Sequence, residues 1–80
     1  MKLFVKRNGC GPCRRVKESL NMEKLASDCD IIHLDEVSID DLDKYKLEYK
    51  LKTVPTLITE DGEYIADSVK IIRLLEKEYA

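Results

Sequence analysis

Apolar and polar positions repeat with two different periods along this chain, and each change of period marks an element. Leu3-Phe4-Val5 lies between Lys2 and Lys6-Arg7, a short apolar run that predicts a first strand over Lys2 to Arg7. Asn8-Gly9 supply a turn. Val16, Leu20 and the Leu25-Ala26 pair then recur at helical spacing, while Arg14, Arg15, Lys17 and Glu18 fall on the other side. One helix from Gly11 to Ala26 follows, with Pro12 tolerated in its first turn because its missing N–H would have no partner there. Ser27-Asp28 close the helix, and Ile31-Ile32-His33-Leu34 read as a second strand.

Ser38-Ile39-Asp40-Asp41 has the form of a helix cap with an acidic third residue. Ile39, Leu42, Tyr45 and Tyr49 extend that helix as an apolar stripe. Thr53-Val54-Pro55-Thr56 breaks the pattern. Leu57-Ile58-Thr59 predicts strand three, Asp61-Gly62 a hairpin turn, and Tyr64-Ile65 strand four. Ser68 is placed to cap a last helix that buries Ile71, Ile72, Leu75 and Tyr79 and turns Lys70, Arg73 and Lys77 outward. The order is βαβαββα. A parallel pair with a right-handed crossover, followed by a hairpin, gives an α/β fold: a four-stranded mixed sheet with three flanking helices.

Length narrows this further: 80 residues make a single domain, 1–80, with a modest core. Charged residues are 38% of the chain and the net charge is −2, so no basic field draws nucleic acid. No stretch is long or apolar enough for a membrane span, and no secretory leader is visible. Three cysteines are too few, and odd in number, for a secreted disulfide framework. The expected compartment is the reducing cytoplasm.

Chemistry concentrates at Cys10-Gly11-Pro12-Cys13, between the first strand and the first helix. A cysteine at a helix N-terminus meets unpaired N–H groups and the positive end of the macrodipole, which favour the reactive thiolate. Cys13 lies one helical turn on. Cys10 is therefore the candidate nucleophile and Cys13 the candidate resolving thiol. Zinc is the rival use of such a pair, but only Cys29 and His33 remain as soft ligands, and on a strand they diverge. No metal and no bound cofactor are expected. Cys29 is read as a small buried hydrophobe and His33 as a strand residue.

The strand feeding Cys10-Gly11-Pro12-Cys13, then Thr53-Val54-Pro55-Thr56, then a glycine hairpin and a closing helix, resembles the thioredoxin/glutaredoxin superfamily over nearly the whole chain. The resemblance implies a thioredoxin-like fold. It implies that Pro55 is cis and faces the cysteine pair, and that the backbone of Val54, with Thr53 beside it, binds the incoming substrate chain. Three departures stand out. Gly9 replaces the usual tryptophan before the first cysteine, Phe4 takes the place of a buried aspartate, and Arg7 stands where many glutaredoxins carry a lysine that tunes the thiolate. Ile65-Ala66-Asp67-Ser68 only partly resembles a glutathione-binding segment, with Asp67 and Ser68 as its candidate contacts and as plain helix caps otherwise.

By this resemblance the chain is a monomeric dithiol–disulfide oxidoreductase that reduces protein disulfides through a reversible Cys10–Cys13 disulfide. Its implied partners are disulfide-containing targets, ribonucleotide reductase among them. A flavin thioredoxin reductase fed by NADPH is the expected reductant. Glutathione is the alternative reductant, and a binding module with incidental thiols is the alternative class.

Overall fold

The computed structural model describes every residue from Met1 to Ala80. The elements are β1 (Lys2–Val5), α1 (Gly11–Ser19), α2 (Met22–Ala26), β2 (Asp30–His33), α3 (Ile39–Tyr49), β3 (Thr56–Ile58), β4 (Tyr64–Ile65) and α4 (Ser68–Tyr79). They build the expected mixed sheet, in the order β2-β1-β3-β4. β1 runs parallel to β2, with Val5 opposite His33, and antiparallel to β3, with Leu3 opposite Leu57. β3 and β4 form the hairpin. Gly62 turns it at φ +85°, and its N–H donates to the Thr59 carbonyl at 3.0 Å.

β1 is central and covered on both faces, which is why Leu3, Phe4 and Val5 are all fully buried rather than alternately so. Successive side chains point to opposite faces. Leu3 and Val5 join Cys13, Val16, Leu25, Leu57, Ile71 and Leu75 in one apolar cluster under α1, α2 and α4. Phe4 faces α3 instead, with ring centroids 5.6 Å from Tyr45 and 5.1 Å from Tyr49. No residue of α3 is fully buried, so this aromatic contact is its main attachment. Ile39, expected in its apolar stripe, is instead 77% exposed.

The single helix expected over 11–26 is two. Leu20 leaves helical geometry at φ −121°, ψ 154°, and Asn21 starts α2 by accepting the Lys24 N–H on Oδ1 at 3.1 Å. Asparagine favours caps over helix interiors because its side chain competes for backbone N–H groups. The break also frees the Asn21 N–H to donate to the Tyr79 carbonyl at the end of α4. Leu20 and Leu25 still reach the same core.

Cap chemistry explains two more outcomes. Ser38 caps α3 as expected, its Oγ accepting the Asp41 N–H at 3.2 Å. At α4 the cap is Asp67, not Ser68. Its Oδ1 accepts from the N–H groups of Val69 and Lys70, and Ser68 becomes the first helical residue. A carboxylate satisfies two orphan donors and also meets the positive helix end. No helix is long and apolar enough to cross a membrane.

α4 is tied down at its far end by the Tyr79 hydroxyl, which donates to Asp28 Oδ2 at 2.7 Å. That hydrogen bond, with burial behind it, pushes the Tyr79 pKa from 10 up to about 12. A raised folded pKa means the neutral phenol is the form that stabilises the fold. The contribution is complete below pH 10 and lost as pH rises through about 12. Urea midpoints against pH are expected to show wild type ahead of Tyr79→Phe at pH 8, with the gap narrowing between pH 10 and 12. A constant gap across that range would show that the hydroxyl's proton does not contribute.

Candidate redox site

The loop between β1 and α1 is positioned by a residue that follows another strand. β2 ends beside β1, so the residues that follow each strand meet. Asp35 accepts the backbone N–H groups of Arg7 at 2.9 Å and Asn8 at 3.0 Å. Those two donors hold its carboxyl below the usual range. Gly9, at φ +72°, then turns the chain into Cys10. Asp35→Ala is expected to speed amide exchange of Arg7 and Asn8 by about tenfold or more, leaving β1 itself protected. Unchanged exchange at both amides would remove Asp35 from the loop's support.

Cys10 is the N-cap of α1, and its Sγ accepts the Cys13 N–H at 3.2 Å. Gly11 and Pro12 occupy the first two helical positions and are exposed. Cys10 and Cys13 are joined as a disulfide, with Cα atoms 5.3 Å apart. Their surroundings differ sharply. Cys10 is partly exposed, whereas Cys13 is fully buried in the apolar cluster. An incoming group can therefore reach the first sulfur and not the second.

The segment after α3 closes on the same spot. The Val54 carbonyl oxygen lies 3.8 Å from Cys10 Sγ. The Val54–Pro55 peptide is cis, and Pro55 is buried. The buried Thr56 hydroxyl donates to the Thr53 carbonyl at 2.8 Å and braces the bend. Val54 makes no backbone–backbone hydrogen bond, and its carbonyl oxygen is turned toward Cys10 Sγ. The structure thus brings Cys10, Cys13, Val54 and Pro55 together, with Thr53 at the rim.

Other candidates lie elsewhere. Arg7 Nε donates to Glu36 Oε2 at 2.7 Å, an ion pair that raises the Arg7 pKa and lowers that of Glu36. Its charge is shared with Glu36 before any reaches Cys10. Phe4 does not occupy a place beside Cys13 at all, being on the opposite face of the sheet. Leu3 and Val5 share the cluster with Cys13, and no carboxylate is buried with them. Asp67 and Ser68 sit at the start of α4, with Asp67 engaged as a cap.

Cys29 is buried in the core, and burial pushes its thiol pKa up, away from reactivity. His33 Nδ1 lies 3.9 Å from Glu36, and desolvation together with the charges of Lys17 and Arg7 lowers its pKa. No group of three or more His, Cys, Asp or Glu side chains gathers in a way that could hold a metal ion.

Asp35 and Glu36 are the residues that sequence reasoning passed over. A signal existed. Once β1 and β2 are read as parallel, Arg7-Asn8 must adjoin Asp35-Glu36, and the charges are complementary.

A family model described as the N-terminal domain of glutathione S-transferase matches residues 4–80. A thioredoxin from Chlamydia pneumoniae is 32% identical over 71 residues, covering 88% of this chain. The chain spans 65% of that relative's length. No solved structure matches. With the family model reaching from β1 to the end of α4, the chain belongs to the glutathione S-transferase N-terminal domain family and has a thioredoxin-like fold.

Proposed function

We propose that this protein is a thiol–disulfide oxidoreductase, its 80 residues acting as a single monomeric domain on disulfide-containing proteins. The observation that carries this reading is the asymmetry of the pair. Cys10 is partly exposed and its sulfur accepts a helix N–H, while Cys13 waits buried one turn below. In the reduced state the Cys10 thiolate attacks one sulfur of the target disulfide, whose other sulfur leaves as a thiolate. The Cys13 thiol gives up its proton and attacks Cys10 Sγ, releasing the second target sulfur. Two electrons have then passed from the protein to the target, and Cys10–Cys13 is the oxidised product. Val54, free of backbone–backbone hydrogen bonds and flanked by Thr53 and Pro55, supports docking of the target chain in an extended form.

Resetting the disulfide needs an external reductant in a reducing compartment such as the cytoplasm. We assign it to an NADPH-fed flavoenzyme of the thioredoxin reductase type. The thioredoxin relative supports that choice. Enzymes that form a disulfide in each turnover, as ribonucleotide reductase does, are the proposed targets. The glutathione named in the matching family's description supports a second reductant, with Asp67 and Ser68 as its contacts.

NADPH oxidation during repeated reduction of a protein disulfide separates these readings. One reaction contains thioredoxin reductase, the other glutathione with glutathione reductase. Turnover in the first alone is the expected result. Turnover in the second alone would replace the reductant assignment. Silence in both, with binding to partners retained, would leave a binding module.

A further inference from the structure

Charge is distributed unevenly along this chain. Residues 1–17 hold six Lys or Arg and no Asp or Glu, although the protein as a whole is at −2. The fold gathers much of that positive charge around Cys10. A cavity of about 340 Å³ beside Cys10 is lined by Lys6, Arg7, Arg14 and Lys17 and by no carboxylate. Arg7 is already paired with Glu36, but Arg14 and Lys17 make no ion pair. Lys17 Nζ donates to the Lys6 carbonyl at 3.2 Å, which holds its charge over the cavity.

A second cavity, of about 350 Å³, lies on the Val54 side and shares Lys6 with the first. Lys46 and Lys52 add to its rim, and Leu34, Leu42 and Leu51 line it. Its one carboxylate, Asp35, is spent on two backbone N–H groups. Cations therefore flank the Cys10–Val54 contact on both sides.

We propose that these two cavities form the docking surface for an extended protein segment with acidic residues beside its disulfide. The proposal rests on the redox reading above and adds the chemistry of its substrate. Carboxylates flanking the cystine would meet Arg14 and Lys17 on one side and Lys46 and Lys52 on the other. Local positive charge steers such a segment into encounter, and it favours the Cys10 thiolate that attacks it. A polypeptide fits better than a small anion. Val54, which has no backbone–backbone partner, offers its N–H to a β-like chain, and the leucine-lined cavity asks for an aliphatic side chain next to the acids.

Pre-reduced protein, mixed in equal amount with peptide disulfides, tests this without any recycling enzyme. Three synthetic peptides share one intramolecular disulfide and carry acidic, neutral or basic flanks. Oxidised glutathione is the fourth substrate. Acid quench and mass spectrometry give each rate. The acidic peptide is expected to react about tenfold faster than the neutral one at low salt, with the basic one slowest. In 0.5 M salt, where screening is short-ranged, the gap should close to about twofold.

Arg14→Gln and Lys46→Gln should each lower the acidic-to-neutral ratio by about two- to fivefold. Lys77→Gln, the same charge change on α4, should leave the ratio alone. Equal rates for the three peptides would overturn the proposal, as would a ranking indifferent to salt. Oxidised glutathione outrunning the acidic peptide would also overturn it. If no peptide is reduced at all, the redox reading itself fails.

Discussion

Cys13→Ser is expected to halt the reaction after the first exchange and leave the protein covalently attached to its target through Cys10. The reason is the burial of Cys13. With Cys10 partly exposed and its sulfur stabilised by the Cys13 N–H, the first attack needs nothing from the second thiol. Resolution needs that thiol and no other, because Cys29 is buried in the core with a raised pKa. Adduct should therefore accumulate to about one equivalent per protein while multiple turnover disappears. Cys10→Ser should form no adduct, since a target cannot reach a sulfur with no exposed surface. Intact-mass measurement under non-reducing conditions reads both variants directly. An adduct on Cys10→Ser, or turnover in either variant, would reverse the roles or remove them.

Phe4→Ala should be the most damaging single change to the fold. The ring is the largest fully buried side chain, and it is what Tyr45 and Tyr49 pack against. Truncating a buried phenylalanine typically costs about 3–5 kcal/mol. A domain of this size is stable by only about 4–12 kcal/mol in all. The expected fall in Tm is about 12 °C or more. Phe4→Leu, which keeps most of the volume, should cost about 1–1.5 kcal/mol. Urea unfolding followed by circular dichroism measures the cost, and amide exchange locates it. Protection in α3 should fall first, because that helix buries no residue fully and has little else holding it. A loss below about 1 kcal/mol in Phe4→Ala would mean that α3 is held by something other than this ring.

The residues that made the fold legible are those whose effect is local. Ser38 caps whatever lies beyond it, Asp61-Gly62 turns the chain by itself, and the apolar run at Leu3-Phe4-Val5 needs only burial to become a strand. The cysteine motif also announces itself through its place between that strand and a helix. What escaped depended on distant partners. Asn21 ends one helix and starts another partly because its N–H finds the Tyr79 carbonyl, nearly sixty residues on.

Asp35 supports the Cys10 loop only because β2 lies beside β1. Asp67 displaced Ser68 as a cap for a subtler reason. Both residue types cap well, and the choice between neighbours depends on which side chain the hairpin delivers to the helix mouth. The face that Phe4 occupies was legible from strand alternation alone, which sets it opposite Leu3 and Val5.

The strand order β2-β1-β3-β4 has a consequence for how this protein comes into being. Its first strand is an interior one, and the partner on its far side, Leu57 opposite Leu3, is synthesised more than fifty residues later. Until then a growing chain can pair β1 only with β2 and must leave the other edge of β1 open. Closing so long an intervening loop costs entropy before any contact repays it. The open edge of β1 is therefore closed late, when β3 slots in and brings the Thr53–Pro55 bend up against Cys10. Until that moment the two cysteines stand in an unfinished groove, whose Val54 side exists only once β3 has paired with β1.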